Sequence, residues 1–322
     1  MADRARNGSR RRERAVNAMV AKNLSPLLFA AVFLAAGSAA HAQASGAPSA
    51  TLEKISKYGA VYVGHRESSI PFSYMDADGK VIGYSSDLCK HITDAIKLHL
   101  NRPGLEVVQV PVTSSSRQMV LESGTIDLEC GSTTNTDQRQ RYVGFSVTTF
   151  VVGVKALVKK DSGIRSVKDM KGKTVVTTSG TTSDTYIKTA ATRQGVFLNY
   201  RVGRDHVDSL NLVLRGQADA LVLDDVLIQG LLLNTPEADR FKLVVLEENY
   251  ANEPYGIMLR RNDPEFKKLV DDTLTGLMKS GELARIYAKW FTSPIPPKGG
   301  SLDLQMGDLL KQLILTPNDK GI

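Results

Sequence analysis

Short apolar runs alternate with stretches of helical periodicity along most of the chain, and that alternation predicts the architecture. Ala60-Val61-Tyr62-Val63-Gly64 reads as a strand closed by glycine, and Asp76-Ala77-Asp78-Gly79-Lys80 as a turn between extended segments. Leu88, Ile92, Ala95, Ile96 and Leu100 recur at helical spacing within Ser86 to Leu100, and Leu105 to Val110 is the next strand. The pattern continues through helix Ser116 to Ser123, strand Ile126 to Cys130, strand Val175 to Thr178 and helix Thr182 to Ala191. Strand Leu198 to Val202, helix Val207 to Arg215 and strand Ala220 to Leu223 follow. Repeated β-to-α-to-β passage places helices against mainly parallel sheets, so the fold class is α/β.

Two segments interrupt the alternation. Phe150 to Val158 is a long β-rich run between segments, and Pro254 to Leu259 returns ahead of a terminal helical stretch. They are expected to be two crossover strands of one interrupted domain. Residues 52–152 with 253–322 then form lobe 1, and residues 153–252 form lobe 2. Two such lobes leave a ligand cleft between them that hinge closure can shut. Phe266, Leu269, Val270, Leu274, Leu277, Ile286, Tyr287 and Trp290 recur on one face of Pro264 to Phe291, with a break expected near Ser280-Gly281. That stripe reads as core.

Charge changes the picture only once it is located. The 322 residues carry a net +7, with 42% apolar and 23% charged residues, an ordinary globular composition. Arg4, Arg6, Arg10, Arg11, Arg12, Arg14 and Lys22 stand against Asp3 and Glu13, so residues 1–23 hold +5 of the +7. Residues 24–42 are uncharged, with an apolar core from Leu27 to Ala36 that ends in small residues and Ala40-His41-Ala42. This is a secretory pattern, shorter than the roughly 20 residues of a spanning helix. Residues 1–42 are therefore expected to be a cleaved signal peptide and 43–51 a flexible linker, which puts the mature protein in the periplasm. Arg10-Arg11-Arg12 stand too far ahead of the apolar core for a twin-arginine signal, and Met19 is an alternative start that gives a more compact leader. Without the leader the net charge is about +2, and the argument for a nucleic-acid partner disappears.

Familiar catalytic signatures fail on spacing. Gly172-Lys173-Thr174 would need a glycine at Val167 to make a phosphate loop, and a strand follows it instead of a helix. Nucleophile-elbow, zinc-protease and dinucleotide motifs are missing. His65, His91, His99 and His206 show no chelating i, i+4 pair, and no metal or cofactor is expected. Cys89 and Cys130 do not form a C-x-x-C motif; an oxidising compartment permits a disulfide, and two separate buried thiols fit the sequence equally well.

Polar residues at strand ends remain. Gly64-His65-Arg66-Glu67-Ser68-Ser69, Thr113-Ser114-Ser115-Ser116-Arg117, Gly131-Ser132-Thr133-Thr134 through Arg139, Thr178-Ser179-Gly180-Thr181-Thr182, and Asp205-His206 with Asp224-Asp225 each follow or flank a strand. In open α/β sheets the carboxyl ends of strands face the ligand crevice. These segments, with Glu129-Cys130-Gly131 and the ending Lys289-Trp290-Phe291 to Pro294-Ile295-Pro296-Pro297-Lys298, resemble the periplasmic solute-binding proteins for polar amino acids. Within that family they resemble the glutamate/aspartate-binding components of ABC importers.

The resemblance implies a two-lobed periplasmic-binding-protein fold, a monomer that captures L-glutamate or L-aspartate, and delivery to membrane permease subunits with a separate ATPase. It places Arg139 on the ligand's α-carboxylate, supported by Thr134 and Thr182, and gives the ammonium to Asp224 with Ser132 assisting. The remote carboxylate falls to Arg66, Ser114, Arg117 and His206. Arginine forks suit carboxylates, and a helix N-terminus at Thr182 suits an anion. Asp225 reads as a structural cap or a surface charge. Two rivals share the scaffold. An exported dehydratase would need a carboxylic acid of raised pKa, for which Glu67 and Asp224-Asp225 are the candidates, and the arginines should lower those pKa values instead. An extracytoplasmic sensor would differ only in its partner.

Overall fold

The computed structural model describes residues 48–246 and 252–322; the expected signal peptide and most of the expected linker lie outside them. The last linker residues, Ala50 and Thr51, instead open a helix, Ala50–Tyr58. Ser49 caps it: its Oγ accepts from Leu52 N at 3.1 Å and donates to Asp263 Oδ2 at 2.8 Å. A serine cap bonded to a distant helix start fixes the chain where Pro48-Ser49 alone suggested flexibility.

Two five-stranded sheets carry the two lobes. The first runs in the order Glu106–Pro111, Ala60–His65, Leu128–Glu129, Met258–Arg260, Val143–Phe145. The second runs Asn199–Gly203, Thr174–Thr178, Ala220–Asp224, Val154–Lys159, Phe241–Val245. The sheets are mainly parallel, as the sequence pattern implies, with one reversed strand in each. Four of the five strands in each sheet run the same way, and Met258–Arg260 and Val154–Lys159 pair antiparallel with both their neighbours. These two strands directly follow the crossovers, so they enter their sheets from the opposite end. The crossovers themselves, Phe150–Val152 and Glu253–Tyr255, pair antiparallel as a two-stranded ribbon between the lobes.

The terminal helical stripe splits into Pro264–Ser280 and Glu282–Phe291 at Gly281, which stands at φ +77° as the left-handed cap of the first helix. Phe266, Val270, Leu274, Ile286, Tyr287, Trp290 and Phe291 are buried. Each such side chain withdrawn from water contributes about 1.5–3 kcal/mol. Phe72, Tyr84, Phe150, Tyr255 and Phe291 pack ring against ring at the root of the crossover ribbon, with Phe150 and Phe291 stacked at 4.6 Å. The crossover ribbon is thus anchored in the core that covers the first sheet.

Cys89 and Cys130 form a disulfide, with Cα atoms 6.2 Å apart. The bridge ties helix Tyr84–His99 to the loop that leaves strand Leu128–Glu129. Among the described residues no helix is long and apolar enough to cross a membrane.

Candidate functional site

The strand-to-helix connections bring the nine expected polar residues to facing edges of the two sheets. Arg66 follows strand Ala60–His65, and Ser114 and Arg117 follow Glu106–Pro111. Ser132 and Thr134 follow Leu128–Glu129, and Arg139 lies in the short helix Asp137–Gln140. From lobe 2, Thr182 opens helix Thr182–Arg193, His206 opens helix His206–Leu214, and Asp224 ends strand Ala220–Asp224.

One end of the cleft is cationic. Arg66 is 1% exposed and Arg117 3% exposed. Burial, then the Arg117 charge, pulls the Arg66 guanidinium down to about 10, which still leaves it charged at neutral pH. Arg117 donates to Ser132 O at 3.0 Å and lies 3.9 Å from Glu129 Oε1, a fully buried carboxylate. Thr133 Oγ1 donates to the other Glu129 oxygen at 2.6 Å. Gly131 makes room for this arrangement: a Cβ there would stand 2.2 Å from Glu129 Oε1 and 2.7 Å from Arg66 Cγ.

His206 Nδ1 meets Thr178 Oγ1 at 3.1 Å. Burial, then Arg66 and Arg117, hold the imidazole well below its usual pKa, so it is neutral. Thr178 Oγ1 also lies 2.8 Å from Ser209 Oγ, and the direction of that hydroxyl sets which ring nitrogen of His206 carries the proton. Arg66 Nη1, Ser114 Oγ and His206 Nε2 are all buried without a hydrogen-bond partner. A buried unpaired polar group costs about 1–3 kcal/mol, and with the Arg66 guanidinium among them this end of the cleft suits a polar, electron-rich group.

The other end is anionic. Asp224 Oδ1 accepts from Ser183 Oγ at 2.9 Å, and Oδ2 accepts from the Tyr255 hydroxyl. The sequence led us to expect arginines to lower this carboxyl; instead its pKa is raised, because burial outweighs the hydrogen bonds from Tyr255 and Ser183 and the distant Arg117 charge. Asp225 turns away, pairing with Lys155 at 2.9 Å and accepting from Gly153 N at 3.2 Å, a structural role. Glu67 is exposed.

Arg139 joins the lobes. Its Nη1 donates to Thr134 O at 2.7 Å in lobe 1, and its Nη2 donates to Gly180 O at 3.0 Å in lobe 2. A cavity of about 990 Å³ opens beside this contact, lined by Arg139, Thr182 and Glu253 among others. Glu253 itself was missed by sequence reasoning. It lies on the crossover strand, one residue before the segment the pattern marked, and its Oε2 accepts from both Thr134 Oγ1 at 2.8 Å and Thr182 Oγ1 at 2.7 Å. Glu129 and Tyr255 were also unassigned; each lies in a short strand whose pattern speaks of burial and not of chemistry.

The profile of the bacterial extracellular solute-binding proteins, family 3, matches residues 61–293. The chain is 45% identical over 285 residues to the glutamate/aspartate import solute-binding protein of Salmonella typhimurium, covering 88% of this chain and 93% of that one. It is 43% identical over 272 residues to the L-glutamate/L-aspartate-binding protein of Pseudomonas aeruginosa, covering 84% and 89%. Among solved structures it is similar to an ancestral arginine-binding protein bound to arginine, with a TM-score of 0.64 and 31% identity over 72% of this chain and 98% of that chain.

Proposed function

The chain belongs to the bacterial extracellular solute-binding proteins, family 3, and from that membership we propose that it is a periplasmic receptor for L-glutamate or L-aspartate. It captures the amino acid by closing two lobes and presents it to the permease subunits of an ABC importer. The observation that carries this reading is the charge layout. Arg66, Arg117 and Arg139 stand at one cleft with Asp224, which suits a ligand of two carboxylates and one ammonium. Arg139, Thr134 and Thr182 take the α-carboxylate, and Asp224 with Ser132 takes the ammonium. Arg66, Ser114, Arg117 and His206 take the remote carboxylate, with Arg66 Nη1, Ser114 Oγ and His206 Nε2 buried and unpartnered at that end.

The disulfide agrees with an oxidising compartment and so supports export. The raised carboxyls of Asp224 and Glu253 keep a dehydratase reading testable. Product formed by the purified chain from a cyclic amino-acid precursor would establish it; we expect none, because the relatives 43–45% identical to this chain are solute-binding proteins.

Calorimetric titration of the purified chain, unfolded and refolded to strip bound ligand, tests the receptor reading. Saturable binding of glutamate or aspartate is expected, with glutamine weaker by about 2 kcal/mol or more, roughly thirtyfold, because an amide leaves charged donors poorly matched. Heat from neither acidic amino acid would refute the assignment.

Closure has its own test. Gly180 lies at φ +77°, and a Cβ there would come within 2.6 Å of Ser114 O across the cleft. Gly180→Ala adds left-handed strain of about 1–2 kcal/mol and a backbone collision present only when the lobes meet. Affinity is expected to fall roughly tenfold or more, and small-angle scattering should show the liganded variant failing to contract. Normal contraction would mean that this contact does not gate closure.

A further inference from the structure

Glu253 sits where the ligand's α-carboxylate is assigned. Its Oε2 takes the hydroxyl hydrogens of Thr134 and Thr182, whose oxygens lie 3.4 Å apart. The residue is 1% exposed. Its strand is tied to Val152 through the Glu253↔Val152 pairing of the crossover ribbon, so the backbone has little freedom to carry the side chain away. Around the carboxyl stand Arg139 from helix Asp137–Gln140, Asp224 from the end of strand Ala220–Asp224, and Tyr255 from its own strand. Arg139 already spends two N–H groups on the carbonyls of Thr134 and Gly180.

Two ionised carboxylates cannot share one pair of hydroxyls beside a third, Asp224, without strong repulsion. Carboxyl pairs in such places hold a proton between them. We propose that Glu253 is a further ligand-binding residue of the cleft: it takes up one proton from solvent as the amino acid binds, and so changes from a competing anion into an O–H donor to the ligand's α-carboxylate. The inference rests on the receptor reading and on the α-carboxylate's place within it.

Burial, followed by the Asp224 charge, already lifts the Glu253 carboxyl to about 7. A bound carboxylate lifts it further. The liganded form therefore holds more protons than the free form above neutral pH, and affinity falls as pH rises. Near pH 6 Glu253 is largely protonated in both forms, and the dependence vanishes.

Glutamate titrations at pH 8 in phosphate and in Tris, buffers of different ionisation enthalpy, read the proton directly. The wild-type chain is expected to take up close to one proton per glutamate, and its Kd to rise by up to about tenfold per unit between pH 7.5 and 8.5. Glu253→Gln keeps a neutral group on the two threonines; its uptake is expected to fall near zero and its Kd to change less than twofold over that range. Glutamate binding by the wild-type chain without proton uptake, or undiminished uptake in a folded Glu253→Gln, would overturn this inference and leave the receptor reading intact. Heat from no acidic amino acid would overturn both. The wild-type two-buffer experiment decides the matter even if the variant fails to fold.

Discussion

Arg139→Ala is expected to weaken glutamate and aspartate binding by the same large factor, about thirtyfold or more, while the melting temperature moves only a few degrees. The guanidinium is half-buried at the mouth of the cleft and bonded to one carbonyl from each lobe. Losing one partner of a buried, hydrogen-bonded charge pair costs about 2–5 kcal/mol in binding, enough to turn a micromolar site into a millimolar one. Burial draws the Arg139 guanidinium down to about 10, with Arg117 adding to the shift, so it remains a full cation at neutral pH. Arg139→Lys separates charge from shape: the ammonium keeps the charge and loses the fork, and an intermediate loss of about tenfold is expected.

A purely structural role for Arg139 would predict something different. Because the α-carboxylate is common to every amino acid, Arg139→Ala should leave the preference for glutamate over glutamine unchanged. Arg66→Gln should erode that preference, because Arg66 is assigned to the remote carboxylate. Titration of both variants with both ligands reads this out. An Arg139→Ala protein with wild-type affinity would place the ligand elsewhere.

The sequence was most legible where chemistry and periodicity share a boundary. Each of the nine expected residues lies at the end of a strand, just past one or in the first turns of a helix, and an α/β sheet collects such positions at one edge. Strand direction was less legible: the apolar runs of Val154–Lys159 and Met258–Arg260 look the same whether the strand runs with its neighbours or against them. Glu253 was hidden for a related reason. On a two-stranded ribbon of three-residue strands there is no pattern to set a functional acid apart from a buried structural one. Helix Ala50–Tyr58 has Leu52 and Ile55 as its buried apolar side chains, too few for periodicity, and its stability comes from the Ser49 bonds to residues more than two hundred positions away. Cysteine pairing is equally non-local, and only the fold decides whether two such residues meet.

That pairing carries the second large expectation. Replacing Cys89 and Cys130 together by alanine is expected to lower stability by about 4 kcal/mol. The bridge closes a loop whose ends are 41 residues apart, and the chain-entropy relation for a loop of that size gives this value at room temperature. For a chain of this length the loss should lower the melting temperature by on the order of 10 °C. Alanine is the appropriate replacement because both positions are within 3% of full burial, where a serine hydroxyl would add its own desolvation cost. Reducing the wild-type chain should reproduce most of the shift without any substitution, which separates the cross-link from the packing of the sulfur atoms. The bridge also holds the loop from Cys130 to Thr134 against helix Tyr84–His99, so Ser132 and Thr134 lose a brace. Affinity for the acidic ligand should therefore fall by a smaller factor, about threefold to tenfold, mainly through faster release. A melting temperature unchanged on reduction would mean that the unfolded chain stays compact across this loop and that the native contacts of the two segments carry the brace alone.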